Sequence, residues 1–240
     1  RSGNKKPRIF RDSNTNTIIN SCGLNNNGVF KIKNNIIYNN KLIDNSNILG
    51  ISISSITNKN DYHECITQVN NLSDYIVMNV SCPNVKKSKD DLDLLLKECK
   101  EMAKQPLLIK ISPDLNNEQM EYIANVSLKN KIDGIIVSNT TKTDMGGKSG
   151  KPLKELSDKK LKEMYILTKG KIPLIGCGGI MNGNDAYNKI KNGASLIQIY
   201  SGFIFEGPEI IYNINKELDY LLEKDNYKSI KDAIGANVEI

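Results

Sequence analysis

Residues 107–138 read LLIKISPDLNNEQMEYIANVSLKNKIDGIIVS: an apolar run from Leu107 to Ile111, a helical pattern, then a second apolar run from Gly134 to Ser138. Both runs are apolar nearly throughout, as expected of parallel strands buried on both faces. The unit recurs outward in both directions. Ile48 to Ile53 and Tyr75 to Val80 precede it, and Pro173 to Cys177 and Leu196 to Tyr200 follow. Tyr62, Cys65, Ile66 and Val69 stand at i, i+3, i+4 and i+7, as do Leu92, Leu95, Leu96 and Cys99, so both sets predict helices with one apolar face. Cys65 and Cys99 are thereby expected in the core. Ile211, Ile214, Leu218 and Leu221 predict a further stripe near the end.

Strand–helix alternation around a parallel sheet makes either a doubly wound sheet or a barrel. Polar residues and glycines cluster just after the strand ends, which favours an α/β (β/α)8 TIM barrel with its site at the C-terminal face. Only six runs are present, whereas a closed barrel of this type has eight strands. The expectation is an incomplete barrel, with about six of the eight βα units. Pro7 to Phe10 and Thr17 to Ile19, around the turn-rich Asp12 to Asn16, predict a β-hairpin outside the barrel. With no interdomain linker in view, residues 1–240 read as one domain.

At 240 residues and 39% apolar content the chain can bury one substantial core. No apolar window approaches the length that predicts a membrane span. The chain opens on Arg1 without a signal-peptide pattern, so a cut, processed or incomplete N-terminus is expected. The net charge of +6 is dispersed, as in Lys154-Glu155 and Glu223-Lys224-Asp225, which predicts a solvated surface and no nucleic-acid partner. The five cysteines form no C-x-x-C pair and the one histidine, His63, falls on the polar face of its helix. A metal site and a disulfide framework are both unexpected, and a reducing compartment fits. Catalysis has to work without histidine.

Four constellations carry chemistry. Asn79-Val80-Ser81-Cys82-Pro83-Asn84 follows a buried strand directly. Alternation puts Asn79 and Ser81 on one face, and Pro83 ends the strand. A thiol flanked by amides can transfer a proton near neutral pH; a buried cysteine before a turn has the same pattern. Lys110 lies inside an apolar strand, where an ammonium is costly unless it meets an anion, a polar cofactor or another satisfying partner. Ser138-Asn139-Thr140-Thr141 is a second polar strand end at the same rim, a pattern that also serves simply to cap a turn. Gly146-Gly147-Lys148-Ser149-Gly150 and Gly176-Cys177-Gly178-Gly179 read as glycine loops, which suit either plain turns or the close approach of N–H groups to phosphate oxygens. Their order, with Tyr200-Ser201-Gly202 after the final strand, predicts a phosphate cradle.

Together these motifs resemble the class 2 dihydroorotate dehydrogenases, the apicomplexan enzymes above all. The resemblance runs through Gly3 to Arg11, Ile19 to Asn26, Lys110 to Asp114, Ser138 to Thr141, Gly150 to Leu153, Gly193 to Gly207 and Asp232 to Gly235. It implies oxidation of dihydroorotate to orotate on FMN in de novo pyrimidine (UMP) biosynthesis, with a membrane quinone as acceptor. It further implies a monomer at the mitochondrial inner membrane, or at the cytoplasmic membrane in a bacterium. By motif, Cys82 and Lys110 are catalytic, and Asn20, Asn79, Asn84, Asn139 and Thr140 hydrogen-bond the substrate. Ser52, Asn79, Lys110, Ser138, Gly150, Gly178, Gly179, Tyr200 and Ser201 contact FMN, the last four around its phosphate.

Several features depart from the class 2 pattern. Cys82 stands where that class carries serine and Leu24 where it carries phenylalanine, both as in the soluble, fumarate-reducing class 1A enzymes. The loops Val85 to Asp90 and Lys142 to Gly146 are shorter than the family's. The family's first two strands and its membrane-associating helices, which form the quinone tunnel, would lie upstream of Arg1. Three alternatives therefore stand beside the class 2 reading: a class 1A enzyme, a tRNA-dihydrouridine synthase, which is another FMN barrel with a Cys-Pro motif, and a fragment that binds no flavin.

The cysteine yields a sharp prediction. A thiol near its ordinary pKa of about 8.5 is a far better base at pH 7 than a serine hydroxyl. In single-turnover flavin reduction, Cys82→Ala is expected to be slower by roughly 10²–10⁴, the usual contribution of a positioned base. Cys82→Ser is expected to retain some activity with its pH profile moved upward. Reduction of the alanine variant at the parent rate at every pH would show the thiol to be packing only.

Overall fold

The computed structural model describes residues 2–39, 47–55, 60–80 and 89–239, with 89–91 as backbone alone. The chain begins with β1 (Ile9–Asp12), β2 (Thr17–Asn20) and α1 (Val29–Asn39). Strands and helices then alternate: β3 (Gly50–Ile53), α2 (Asn60–Val69), β4 (Tyr75–Asn79), α3 (Lys89–Met102), β5 (Leu107–Ile111), α4 (Asn117–Lys129) and β6 (Gly134–Val137). After β7 (Thr141–Thr143) and β8 (Gly146–Gly150), a 3₁₀ turn at Lys151–Leu153 leads into α5 (Lys154–Thr168), and alternation resumes with β9 (Leu174–Cys177), α6 (Gly183–Lys191) and β10 (Ala194–Gln198). α7 (Ser201–Glu206), α8 (Glu209–Lys224) and α9 (Ile230–Ala233) close the chain.

All six apolar runs are strands, within two residues of the expected bounds, and they form one parallel sheet in the order β10-β9-β6-β5-β4-β3. Among the described residues its end strands, β3 and β10, do not pair with each other, so the sheet is open rather than a closed barrel. Alternation along each strand divides the apolar side chains between two layers. Ile76, Met78, Leu107, Ile109, Ile111, Ile135 and Val137 face outward against the apolar stripes of α2, α3, α4 and α5 and make the main core. Val77, Leu108, Ile136 and Cys177 form a smaller cluster on the other face, with Tyr75 and Ile175 packed against it. Two crossover helices, α4 and α6, start at side-chain caps. Asn116 and Gln119 make a reciprocal capping box at α4, and the Asn182 side chain accepts the Asp185 N–H at α6.

Cys99 is fully buried and burial pushes its thiol up to about 12; Cys65 is only partly buried, its thiol raised for the same reason. His63 Nε2 of α2 lies 3.2 Å from Glu98 of α3, both side chains partly exposed.

Two expectations are corrected. The hairpin β1–β2 forms outside the parallel sheet, as expected, and is extended there: β2 pairs antiparallel with β8, and β8 with β7, giving a four-stranded sheet β1-β2-β8-β7. Gly146–Gly150, expected as a loop, is therefore a strand. Its glycines make the approach possible, since a Cβ on Gly146 would overlap the Asn20 backbone and one on Gly147 the Thr140 side chain. The last stripe is also shifted in phase. Ile210, Ile214 and Leu218 of α8 are buried against α6, with Leu221 beside them, whereas Ile211 is 51% exposed.

That shift predicts unequal costs for two adjacent truncations. Ile210→Ala should lower stability by about 2–5 kcal/mol, the usual cost of a buried Ile→Ala cavity. Ile211→Ala should change it by less than about 0.5 kcal/mol. Urea denaturation of both variants measures the difference, and a reversed order would restore the phase read from sequence.

Candidate active site

Parallel strands leave their C-terminal ends along one edge of the sheet, and the polar residues that follow each strand gather there. Lys110 and Asn79 are register partners on β5 and β4 and share the inner face. The Lys110 ammonium donates to Gln198 Oε1 at 2.8 Å and lies 3.8 Å from Cys177 Sγ, reaching both across the inner face. Asn139 follows β6: its N–H donates to Ile111 O, and its amide donates to Asn79 Oδ1 at 3.2 Å. Its Oδ1 accepts the Thr140 N–H at 2.8 Å, fixing the amide between two neighbours.

The four-stranded sheet forms another wall. The Asn20 amide donates to Gly147 O at 3.4 Å, tying β2 to β8 at the rim. The Ser201 hydroxyl at the start of α7 donates to Ser149 Oγ on β8 at 2.9 Å, both side chains buried. The glycine loop after β9 completes the enclosure. Gly178 and Gly179 sit at φ +114° and +75°, where a side chain is strained, and a Cβ on Gly179 would overlap the Lys154 backbone. Burial of this kind leaves only backbone groups to face the space in front of the loop.

These parts enclose a cavity of about 420 Å³, within the range of small-molecule sites. Lys110, Ser138, Asn139, Thr140 and Asn20 are among its lining residues, and so are Gly150, Gly178, Gly179, Tyr200 and Ser201. Ser138 is itself buried, its N–H bonded to Cys177 O, whereas Tyr200 is exposed. Of the other expected residues, Asn79 does not line the cavity but holds Asn139, which does. Ser52 is not brought in: it is exposed on β3, two strands from Lys110. Cys82 and Asn84, with the rest of the motif from Ser81 and residues 85–88 of the following loop, lie outside the described residues.

Sequence reasoning passed over several residues of this region. Gln198 was detectable in principle, since a polar side chain within the apolar run Leu196 to Tyr200 raises the same question as Lys110. Ser149 was read as part of a loop, and strand pairing alone turns it inward. Lys189 gave no signal at all: in a lysine-rich α6 it looks like solvent-facing charge, yet its side chain is only 1% exposed. It donates to Asp158 at 2.6 Å and Ser157 at 2.8 Å behind the glycine loop.

Residues 1–222 match the family described as Dihydroorotate dehydrogenase. The Arabidopsis thaliana protein named "Dihydroorotate dehydrogenase (quinone), mitochondrial" is 39% identical over 286 aligned positions, covering 98% of this chain and 62% of that protein. "Dihydroorotate dehydrogenase (quinone)" of Parvibaculum lavamentivorans is 37% identical, covering 99% of this chain and 74% of its own. The fold is similar to the crystal structure of ligand-free DHODH from Eimeria tenella, with a TM-score of 0.91 at 30% identity over 99% of this chain and 78% of that one. The chain spans about three fifths of the length of the plant relatives it matches.

The glycine loop permits a controlled comparison. Gly207 has φ +76° and ψ −172°, a backbone region essentially reserved to glycine, with open space where a Cβ would go, so Gly207→Ala should cost only that backbone strain, about 1–3 kcal/mol. Gly179→Ala, at the same φ, adds a backbone collision with Lys154 and should cost a further 1–3 kcal/mol or so. Equal losses in chemical denaturation would show that the loop is not packed as described.

Proposed function

The chain belongs to the dihydroorotate dehydrogenase family, and from that membership we propose that the protein oxidises dihydroorotate to orotate on bound FMN and passes the electrons to a quinone, as a step of de novo pyrimidine biosynthesis. The observation that carries the reading is one cavity lined by the Lys110 ammonium and by a left-handed glycine loop. The residues fit the cofactor. A loop into which no Cβ fits suits a phosphate held by backbone N–H groups, and an ammonium elsewhere on the lining suits a ring that gains negative charge. FMN, when bound, takes up the hydride from the substrate and releases the electrons to the acceptor.

Each residue then has a task. Lys110, held by Gln198, stabilises negative charge as it develops in the cavity. Gly178 and Gly179 hold the phosphate, with Tyr200 and Ser201 beside them; Ser138 and Gly150 make further cofactor contacts. Asn20, Asn139 and Thr140 hold the substrate, Asn79 steadying Asn139 from the neighbouring strand. Cys82 and Asn84 enter through the family resemblance, Cys82 as the base that removes the C5 proton while hydride leaves C6. Ser52 enters through the family resemblance alone and stands outside the cavity.

The quinone assignment follows the names of the plant and bacterial relatives. The plant and mouse relatives are named mitochondrial, which supports an inner-membrane location. Among the described residues no helix is long and apolar enough to cross a membrane; peripheral contact through a segment upstream of Arg1 enters this proposal through the family resemblance.

Steady-state turnover of dihydroorotate by the full-length protein, with quinone and with fumarate as acceptors, tests the reading; turnover with fumarate alone would overturn the quinone assignment. In the same protein Lys110→Ala should slow stopped-flow flavin reduction by about 10²–10³, as loss of one charge-stabilising contact usually does. Reduction at the parent rate would remove Lys110 from the chemistry.

A further inference from the structure

A lysine ammonium carries three donors and no acceptor, so every hydrogen bond it makes has a fixed direction. Lys189 is the most deeply buried charge among the described residues, at 0% exposure, and burial pushes its pKa down while Asp158 opposes the shift. An unpaired ammonium in such a place is strongly unfavourable. Here it is paired: Nζ donates to Asp158 Oδ1 at 2.6 Å and to Ser157 Oγ at 2.8 Å.

Ser157 has one proton. Because its oxygen accepts from Lys189, that proton is directed elsewhere, and Gly178 O stands 2.9 Å away. The Lys154 carbonyl, one turn back, is at the same distance and shares it. A trans peptide is planar with its C=O and N–H pointing in opposite directions. When Ser157 draws the Gly178 carbonyl away from the cavity, the N–H of Gly179 is turned toward it. Gly179 lines the cavity, and among the described residues its N–H donates no hydrogen bond.

The far side of the loop is anchored through the same charges. The Met181 N–H donates to Asp185 Oδ2 at 3.0 Å, Asp185 Oδ1 lies 3.4 Å from Lys154 Nζ, and Lys154 Nζ lies 3.7 Å from Asp158 Oδ2. Two lysines and two aspartates balance, so the acids behind the loop impose no net negative charge on an anion in front of it.

We propose that Lys189 is a positioning residue for the glycine loop, acting through the Ser157 hydroxyl to aim the Gly179 N–H at a phosphate oxygen of the bound flavin nucleotide. The inference rests on the reading of the cavity as a flavin mononucleotide site. It concerns the phosphate end alone, so it separates from that reading by experiment.

The test titrates flavin-free full-length protein with FMN and with riboflavin, which lacks the phosphate, following flavin fluorescence. Ser157→Ala keeps the Lys189–Asp158 pair, and with it the fold. Its Kd for FMN should rise about three- to tenfold, the value of one hydrogen bond, while its Kd for riboflavin stays unchanged. Lys189→Met should raise the FMN Kd by about tenfold or more with the same selectivity for the phosphorylated ligand. A parent protein that binds riboflavin as tightly as FMN would defeat the phosphate reading and the proposal with it. A parent that prefers FMN, with Ser157→Ala either keeping its FMN affinity or losing both ligands equally, would overturn the proposal alone.

Discussion

Period-two alternation along six parallel strands is the constraint on which the rest depends. A parallel sheet has two faces to cover, and here the outward face takes the helices and most of the core. The inward face cannot be apolar to its top, because the strand ends open on solvent. Lys110 and Gln198 therefore meet on that face near the strand ends, each satisfying the other, and the polar residues after the strands extend the same lining. The site is what the inner face becomes where burial ends.

Legibility from sequence followed the apolar pattern. Six runs are mostly apolar, and all six are strands, including β3 and β10 at the sheet ends, where only one residue of each is buried. Cavity residues were readable where a polar group broke such a run, as at Lys110, or followed it, as at Ser138 to Thr140. What escaped notice is what depends on tertiary pairing. β8 is Gly-Gly-Lys-Ser-Gly, with no side-chain preference for a strand, and pairing with β2 on one side and β7 on the other makes it one. α1 buries no residue in the described structure and so shows no decisive stripe. The one-residue slip between Ile211 and Ile210 reflects an apolar pair at adjacent positions, where periodicity alone selects neither.

Lysine best illustrates the limit of composition. Lys129 pairs with Asp93 at 2.5 Å on the surface, where such bonds contribute little. Lys110 and Lys189 have the same letter and a different physical situation, one aimed into the cavity and one sealed behind it. A count of charges places all three in a solvated coat. Burial tells them apart, and in each buried case the partner is a side chain on another element.

The pairing of β2 with β8 has a consequence for the order in which the molecule assembles. Asn20 and Gly147 are bonded across 127 residues of chain, whereas most neighbouring strands of the parallel sheet are joined by a single crossover helix, with β7 and β8 inserted only between β6 and β9. Contacts distant in sequence demand more chain closure before they return any stabilisation, and they form late. The βα layers can build up locally, and the hairpin then docks on them. Asn20, Ser149 and Gly150 therefore reach the cavity wall only when the two distant parts of the chain are joined. Fraying of that small sheet would open the pocket while leaving the core beneath it intact.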